Sequence, residues 1–161
     1  MLKDSFAEFV KTHVAVVEEL EKNRNLAYWK AALSGKESDY EKLTRRQMKI
    51  DKIYSSRSDF EFIERVREEG KVDDTMFSRM LDLLYLRYLG NQADEKLLED
   101  ITVLSSRVEN RFNVFRPAVE GRKLTLNQIR DILRTEENSR RRRKVWESSK
   151  EAGTLVAEDL V

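Results

Sequence analysis

Few side chains in this sequence are equipped for catalysis. His13 is the only histidine and cysteine is absent, which removes thiolate nucleophiles, cysteine zinc sites, iron–sulfur clusters and disulfides. An HExxH zinc helix and a ferritin-like di-iron site each require two histidines. His13 falls on an apolar stripe, one turn after Phe9 and one before Val17. No carboxylate or second histidine stands at ligand spacing, so the spacing predicts a packing residue at the core boundary. Serines and lysines occur without a nucleophile-elbow or phosphate-loop context. No carboxylate pair stands out for acid–base work among the 30 acidic residues. The sequence therefore predicts no catalytic, cofactor-binding or metal-binding residue.

Arg140, Arg141, Arg142, Arg143 and Lys144 form the strongest charge block. Clustered arginines can neutralise phosphates and release counterions. Here Glu136, Glu137, Glu147 and Glu151 flank the block, and five consecutive residues point all around a helix rather than along one stripe. An ion-paired or solvated helix start is expected, with no more than weak, salt-sensitive binding to nucleic acid. The net charge of +1, from 31 basic and 30 acidic residues, supplies no global attraction for polyanions or membranes. The longest apolar runs, such as residues 14–17 and 83–86, have four residues. A membrane span needs about 20 and a signal peptide core about 7–15. A cytoplasmic chain is expected, in keeping with the missing cysteines.

What must position these residues is helix. Five glycines and one proline in 161 residues leave too few turns for a β-sandwich or barrel. The expected fold is all-α, a single domain over residues 1–161 forming an elongated antiparallel bundle of about seven helices. Ser5–Glu8, Ser38–Glu41, Ser58–Glu61 and Thr125–Gln128 have the spacing of capping boxes. Asp73 or Asp74, Asp94 and Asn138 are expected to cap further helices. Gly35, Gly70 and Gly90 are expected stops, and Pro117 ends the fifth helix. Residues 119–123 form the one convincing loop. Apolar stripes run through Phe6, Phe9, Val10, Ala27, Tyr28 and Ala31, and through Leu97, Ile101, Leu104, Val108, Phe112 and Phe115. A last stripe takes in Val145, Trp146, Ser149, Gly153, Val156 and Leu160. Tyr28, Trp29, Tyr85, Tyr88, Phe112, Phe115 and Trp146 are expected in a continuous core.

The C-terminal third reads Phe115-Arg116-Pro117, Gly121-Arg122-Lys123-Leu124-Thr125, Ile129, Ile132-Leu133-Arg134-Thr135-Glu136, then Arg143-Lys144-Val145-Trp146-Glu147-Ser148-Ser149-Lys150 and Gly153. With Asn25-Leu26-Ala27-Tyr28-Trp29-Lys30, Gly35 and Ile53-Tyr54, this order resembles the N-terminal helical region of zinc peptidases such as angiotensin-converting enzyme. It is more loosely similar to oligoendopeptidase F and thimet oligopeptidase. The resemblance implies a helical scaffold forming one wall and the lid of a deep channel that admits short peptides. It also implies zinc held by HExxH and a downstream glutamate, a motif missing from this chain, so no ligand or base of that family can be assigned here. The chain is then either an N-terminal piece of a longer peptidase or a stand-alone relative that kept the scaffold. An amphipathic pattern that continues through Val156, Leu160 and Val161 without a stop favours a piece. The expected partners are short peptides and a C-terminal catalytic part, with a homodimer through the uncovered apolar face when that part is missing. The rival expectation is a helical interaction module that binds a protein or nucleic acid through its last helix.

Overall fold

A computed structural model describes residues 2–69 and 74–160, with side chains from residue 4 onward. The fold is all-α: 83% of the chain is helical, in seven α-helices among the described residues. They are α1 (Leu2–Ser34), α2 (Glu37–Tyr54), α3 (Arg57–Glu68), α4 (Thr75–Leu89), α5 (Glu95–Val114), α6 (Leu126–Thr135) and α7 (Ser139–Val156). No helix among them is long and apolar enough to cross a membrane. With 33 residues α1 is about 50 Å long at 1.5 Å per residue.

Local chemistry explains most helix starts. Asp74, Asp94 and Asn138 each accept two backbone N–H bonds from the first turn of α4, α5 and α7. Thr125 and Gln128 form the reciprocal capping box of α6. The other three boxes are displaced. Helix α1 begins at Leu2, upstream of Ser5. Helix α2 begins at Glu37 behind an extended Lys36 that makes no side-chain cap, so Ser38 is inside it. Helix α3 is capped by Ser56, which accepts from the Asp59 N–H, rather than by Ser58. Helix propensity carried each helix past its nominal cap, because no residue there opposed it. Gly70 and Asp73 lie outside the described residues.

Helices α1 and α2 form an antiparallel hairpin around Gly35, whose φ of 63° is the left-handed cap conformation. A Cβ placed there would stand 2.9 Å from Val114 Cγ1 at the end of α5. Gly35→Ala is expected to cost about 1–2 kcal/mol, the penalty of a left-handed alanine; an unchanged urea midpoint would refute this. Gly90, by contrast, has φ −66° and is right-handed. There Asn91 Nδ2 donates to Arg87 O and Gln92 Nε2 to Tyr88 O, doing the work expected of the glycine.

The segment expected as a loop is a small β-hairpin. Strands β1 (Ala118–Val119) and β2 (Arg122–Lys123) pair antiparallel. Glu120 and Gly121 both have positive φ, 53° and 78°, the signature of a type I′ turn.

The core is not continuous. One cluster joins α1, α2, α3 and α4 through Phe6, Val10, Ile50, Phe60, Ile63 and Tyr88. A second, small one holds Ala31, Tyr40 and Leu43 between α1 and α2. A third holds Val119, Ile129 and Val145 between the hairpin, α6 and α7. The inner stripe of α7 is Val145, Ala152 and Val156, while Trp146, Gly153 and Leu160 are exposed. Trp146 lies one residue, about 100°, off that stripe. The α-helix ends at Val156 and a 3-10 turn (Ala157–Asp159) follows. Asp159 then pairs with Arg107 and Arg111 of α5, at 3.4 and 2.6 Å. Val161 lies outside the described residues.

Candidate docking face

Helix α5 turns a polar side to α2. Its contact with α2 is polar: Thr102 Oγ1 donates to Asp51 Oδ2 at 3.0 Å, Asn113 Nδ2 to Tyr40 Oη at 2.9 Å, and Ser106 Oγ to Tyr40 O at 3.5 Å. Its apolar stripe lies beside that contact: Ile101 lines a trough with Leu43, Thr44 and Gln47 of α2, and Leu98 lines another with Met48 and Lys49. Leu97, Ile101 and Phe112 are about half exposed, at 51%, 51% and 47%, and none of the twenty residues of α5 is buried. A buried leucine or phenylalanine side chain stabilises by about 1.5–3 kcal/mol over an exposed one; Leu97, Ile101 and Phe112 forgo much of that gain, while Leu98, Leu104 and Val108 are partly buried. On α1, Tyr28 and Trp29 are exposed as well, as is Trp146 on α7. Of the seven aromatics expected inside, only Tyr88 is fully buried, with Tyr85 and Phe115 partly so. Helical spacing identified the stripes but not which face meets a neighbour.

A polar cluster lies at the opposite end of the molecule's chemistry, inside the core formed by α1 to α4. His13 Nδ1 is 3.3 Å from Tyr88 Oη, His13 Nε2 is 3.4 Å from Tyr54 Oη, and the Tyr88 hydroxyl donates to Asp59 Oδ2 at 3.4 Å. The set is self-consistent for a neutral imidazole whose Nδ1–H donates to Tyr88 while Nε2 accepts from Tyr54. The ring also stacks on Phe9, with centroids 5.5 Å apart. Burial lowers the His13 pKa, with Asp59 opposing in part. Burial likewise raises the pKa of Tyr54 and Tyr88, and for Tyr88 the Asp59 carboxylate adds to the effect. The carboxylate that sequence spacing did not reveal is supplied by α3, through Tyr88 rather than directly. Phenol hydroxyls, one imidazole and one indirect carboxylate are not a zinc ligand set. Among the described residues no three His, Cys, Asp or Glu side chains converge as metal ligands.

The sign of the pH effect follows. The folded state disfavours protonated His13, so the unfolded chain binds more protons below its ordinary pKa of 6.5. Stability is full above that value and falls as the pH drops below it. The expected result is a wild-type unfolding free energy that declines between about pH 7 and 5 more steeply than that of His13→Gln. Equal slopes would remove His13 from the account.

Two of the five basic residues of the block, Arg141 and Arg143, are held in ion pairs. Arg141 bridges Glu136, at the end of α6, and Glu120 in the hairpin turn, so it clamps three elements together. The Asn138 backbone N–H and then Arg141 hold the Glu136 carboxyl below its usual range. Arg143 pairs with Glu147 at 2.7 Å. Arg140, Arg142 and Lys144 are exposed, without an ion pair among the described residues.

Of the residues carrying the peptidase resemblance in the C-terminal third, Leu124, Ile129, Ile132, Leu133 and Val145 join one cluster, whereas Arg122, Lys123 and Trp146 are exposed. Pro117 accepts from the Leu124 N–H across the hairpin, and Val119, Ile129 and Val145 close the core beneath it. They are packing residues rather than a reactive centre. No protein-family model matches the chain, and no curated protein and no solved structure is significantly similar to it.

Proposed function

We propose that this chain is the helical scaffold of a zinc-dependent oligopeptidase, contributing wall and lid to a channel for short peptides. The zinc and the water it activates would be held by residues outside this chain. The observation that supports the reading is the half-exposed apolar stripe of α5 at Leu97, Ile101 and Phe112, since exposed apolar patches mark interaction surfaces. The resemblance of the C-terminal third supplies the identity of the protein that would cover it. Zinc would lower the pKa of a bound water toward about 7; the residues of this chain would enclose the peptide and exclude bulk water. The proposed compartment is the cytoplasm, which suits a chain without cysteine.

Two measurements test this. The reading frame following Val161 in the source genome should continue into an HExxH-bearing helix; a stop codon there, with no such motif nearby, would overturn the proposal in favour of a helical interaction module. The purified chain alone should neither retain stoichiometric zinc after dialysis nor cleave quenched-fluorescent peptides. Zinc-dependent turnover abolished by His13→Ala would show a catalytic centre within this chain and refute the division of labour.

A further inference from the structure

The α1–α2 hairpin carries a second surface, along the trough between α1 and α2. Tyr40 and Asp51 bond to α5. Half a helical turn away, Lys42, Arg45, Arg46 and Lys49 follow one another at i, i+3, i+4 and i+7, the spacing of a single face. They line an open trough of about 450 Å³ against Leu20 and Asn23 of α1, with no carboxylate in its lining.

The positive charge there is only partly compensated. Lys42 shares Asp39 with Lys30, at 3.3 and 3.7 Å. Arg45 has Glu41 at 3.8 Å, both side chains being about 60% exposed. Arg46 donates to the neutral backbone carbonyl of Asn23 at 3.0 Å. Lys49 is exposed and makes no ion pair among the described residues, and it also borders a second trough with Asp51, Glu95 and Glu99.

Beside this basic rail runs an apolar one. Val16, Leu20, Asn23 and Leu26 share a face of α1 by four- and three-residue steps with the exposed Glu19; Val16 and Leu26 are exposed at 54% and 60%, and Leu20 is partly packed on the core. We infer that these paired rails dock an acidic amphipathic helix of a partner protein, its apolar face on Val16, Leu20 and Leu26 and its carboxylates on Lys42, Arg45, Arg46 and Lys49. A helix seated in a groove by apolar anchors and flanking charges is a recurrent recognition mode. The apolar rail selects polypeptide over nucleic acid, since single strands need aromatic platforms for their bases and the trough lining has none. The basic rail spans only about 10 Å at 1.5 Å per residue, too short to grip more than a few phosphates. This inference does not rest on the peptidase reading, which is argued from the apolar stripe of α5.

The probe is a fluorescein-labelled synthetic helix of about five turns, with leucines on one face and glutamates beside them. A glutamine-for-glutamate version, a single-stranded oligonucleotide and a DNA duplex serve as comparisons. Two double variants separate the rails: Arg45→Glu with Lys49→Glu, and Val16→Ser with Leu26→Ser. All four positions are exposed, and circular dichroism verifies the helix content of each variant. The expected result is saturable, salt-sensitive binding of the glutamate peptide, weakened at least about tenfold in each variant and for the glutamine peptide. Binding unaffected by either variant, or no saturable binding at all, overturns the proposal. Tighter binding of an oligonucleotide, lost in the basic-rail variant alone, replaces it with a nucleic-acid site. Self-association lost in both variants, without peptide binding, replaces it with a homodimer face.

Discussion

Tyr88→Ala is expected to remove about 3–5 kcal/mol of stability, the range for truncating a buried aromatic to alanine. Tyr88 is fully buried and joins three helices besides its own. Its ring packs edge-on against Tyr54 at 5.1 Å and near His13 at 5.8 Å, and its hydroxyl reaches Asp59 of α3. A domain's whole margin is about 5–15 kcal/mol, so the variant should lose much of its helical signal well below the wild-type denaturant midpoint. Tyr88→Phe keeps the ring and removes only the hydroxyl. Its expected cost is about 1–3 kcal/mol, because Asp59 and His13 are left with a poorer polar environment. A Tyr88→Ala variant within about 1 kcal/mol of wild type would mean that this cluster does not hold the first four helices together. Because the core is divided, the α6–α7 cluster should survive the substitution, and hydrogen exchange should show its amides still protected.

Replacing Leu97, Ile101 and Phe112 together by glutamine should have the opposite profile. Exposed positions away from packed features usually shift stability by no more than about 0.5 kcal/mol each, so the unfolding curve should hardly move. Self-association should change markedly. The isolated wild-type chain presents half-exposed Leu97, Ile101 and Phe112 on one helix face, apolar surface of the kind that marks interaction sites, and should form concentration-dependent dimers or larger species in sedimentation velocity. The triple variant should sediment as a monomer. A wild-type chain that stays monomeric at all concentrations would refute the expectation. A variant that loses several kcal/mol would show that the stripe packs internally.

Helix content and helix number were determined by the sequence alone. With one proline and five glycines there are few places to stop, and Asp74, Asp94, Thr125 and Asn138 satisfy the first free N–H groups wherever such side chains precede an apolar-periodic run. These are interactions over three or four residues, so neighbouring residues contain all the information they need. The absence of an HExxH motif and of cysteine zinc ligands is equally a matter of composition, since one histidine and no cysteine are fixed before any folding.

Only the tertiary structure decided which face of each helix is inside. The stripe of α1 at Phe6 and Val10 is buried because α3 and α4 return to cover it, whereas the equally periodic stripe of α5 is not, because α2 receives the polar side of α5 through Asp51 and Tyr40. Periodicity reports that a helix has two faces; the neighbour's surface chemistry selects between them. The same holds for His13, which sequence spacing placed at the core boundary. Its partners stand 41 and 75 residues away in sequence, and the burial that lowers its pKa exists only once four helices have met.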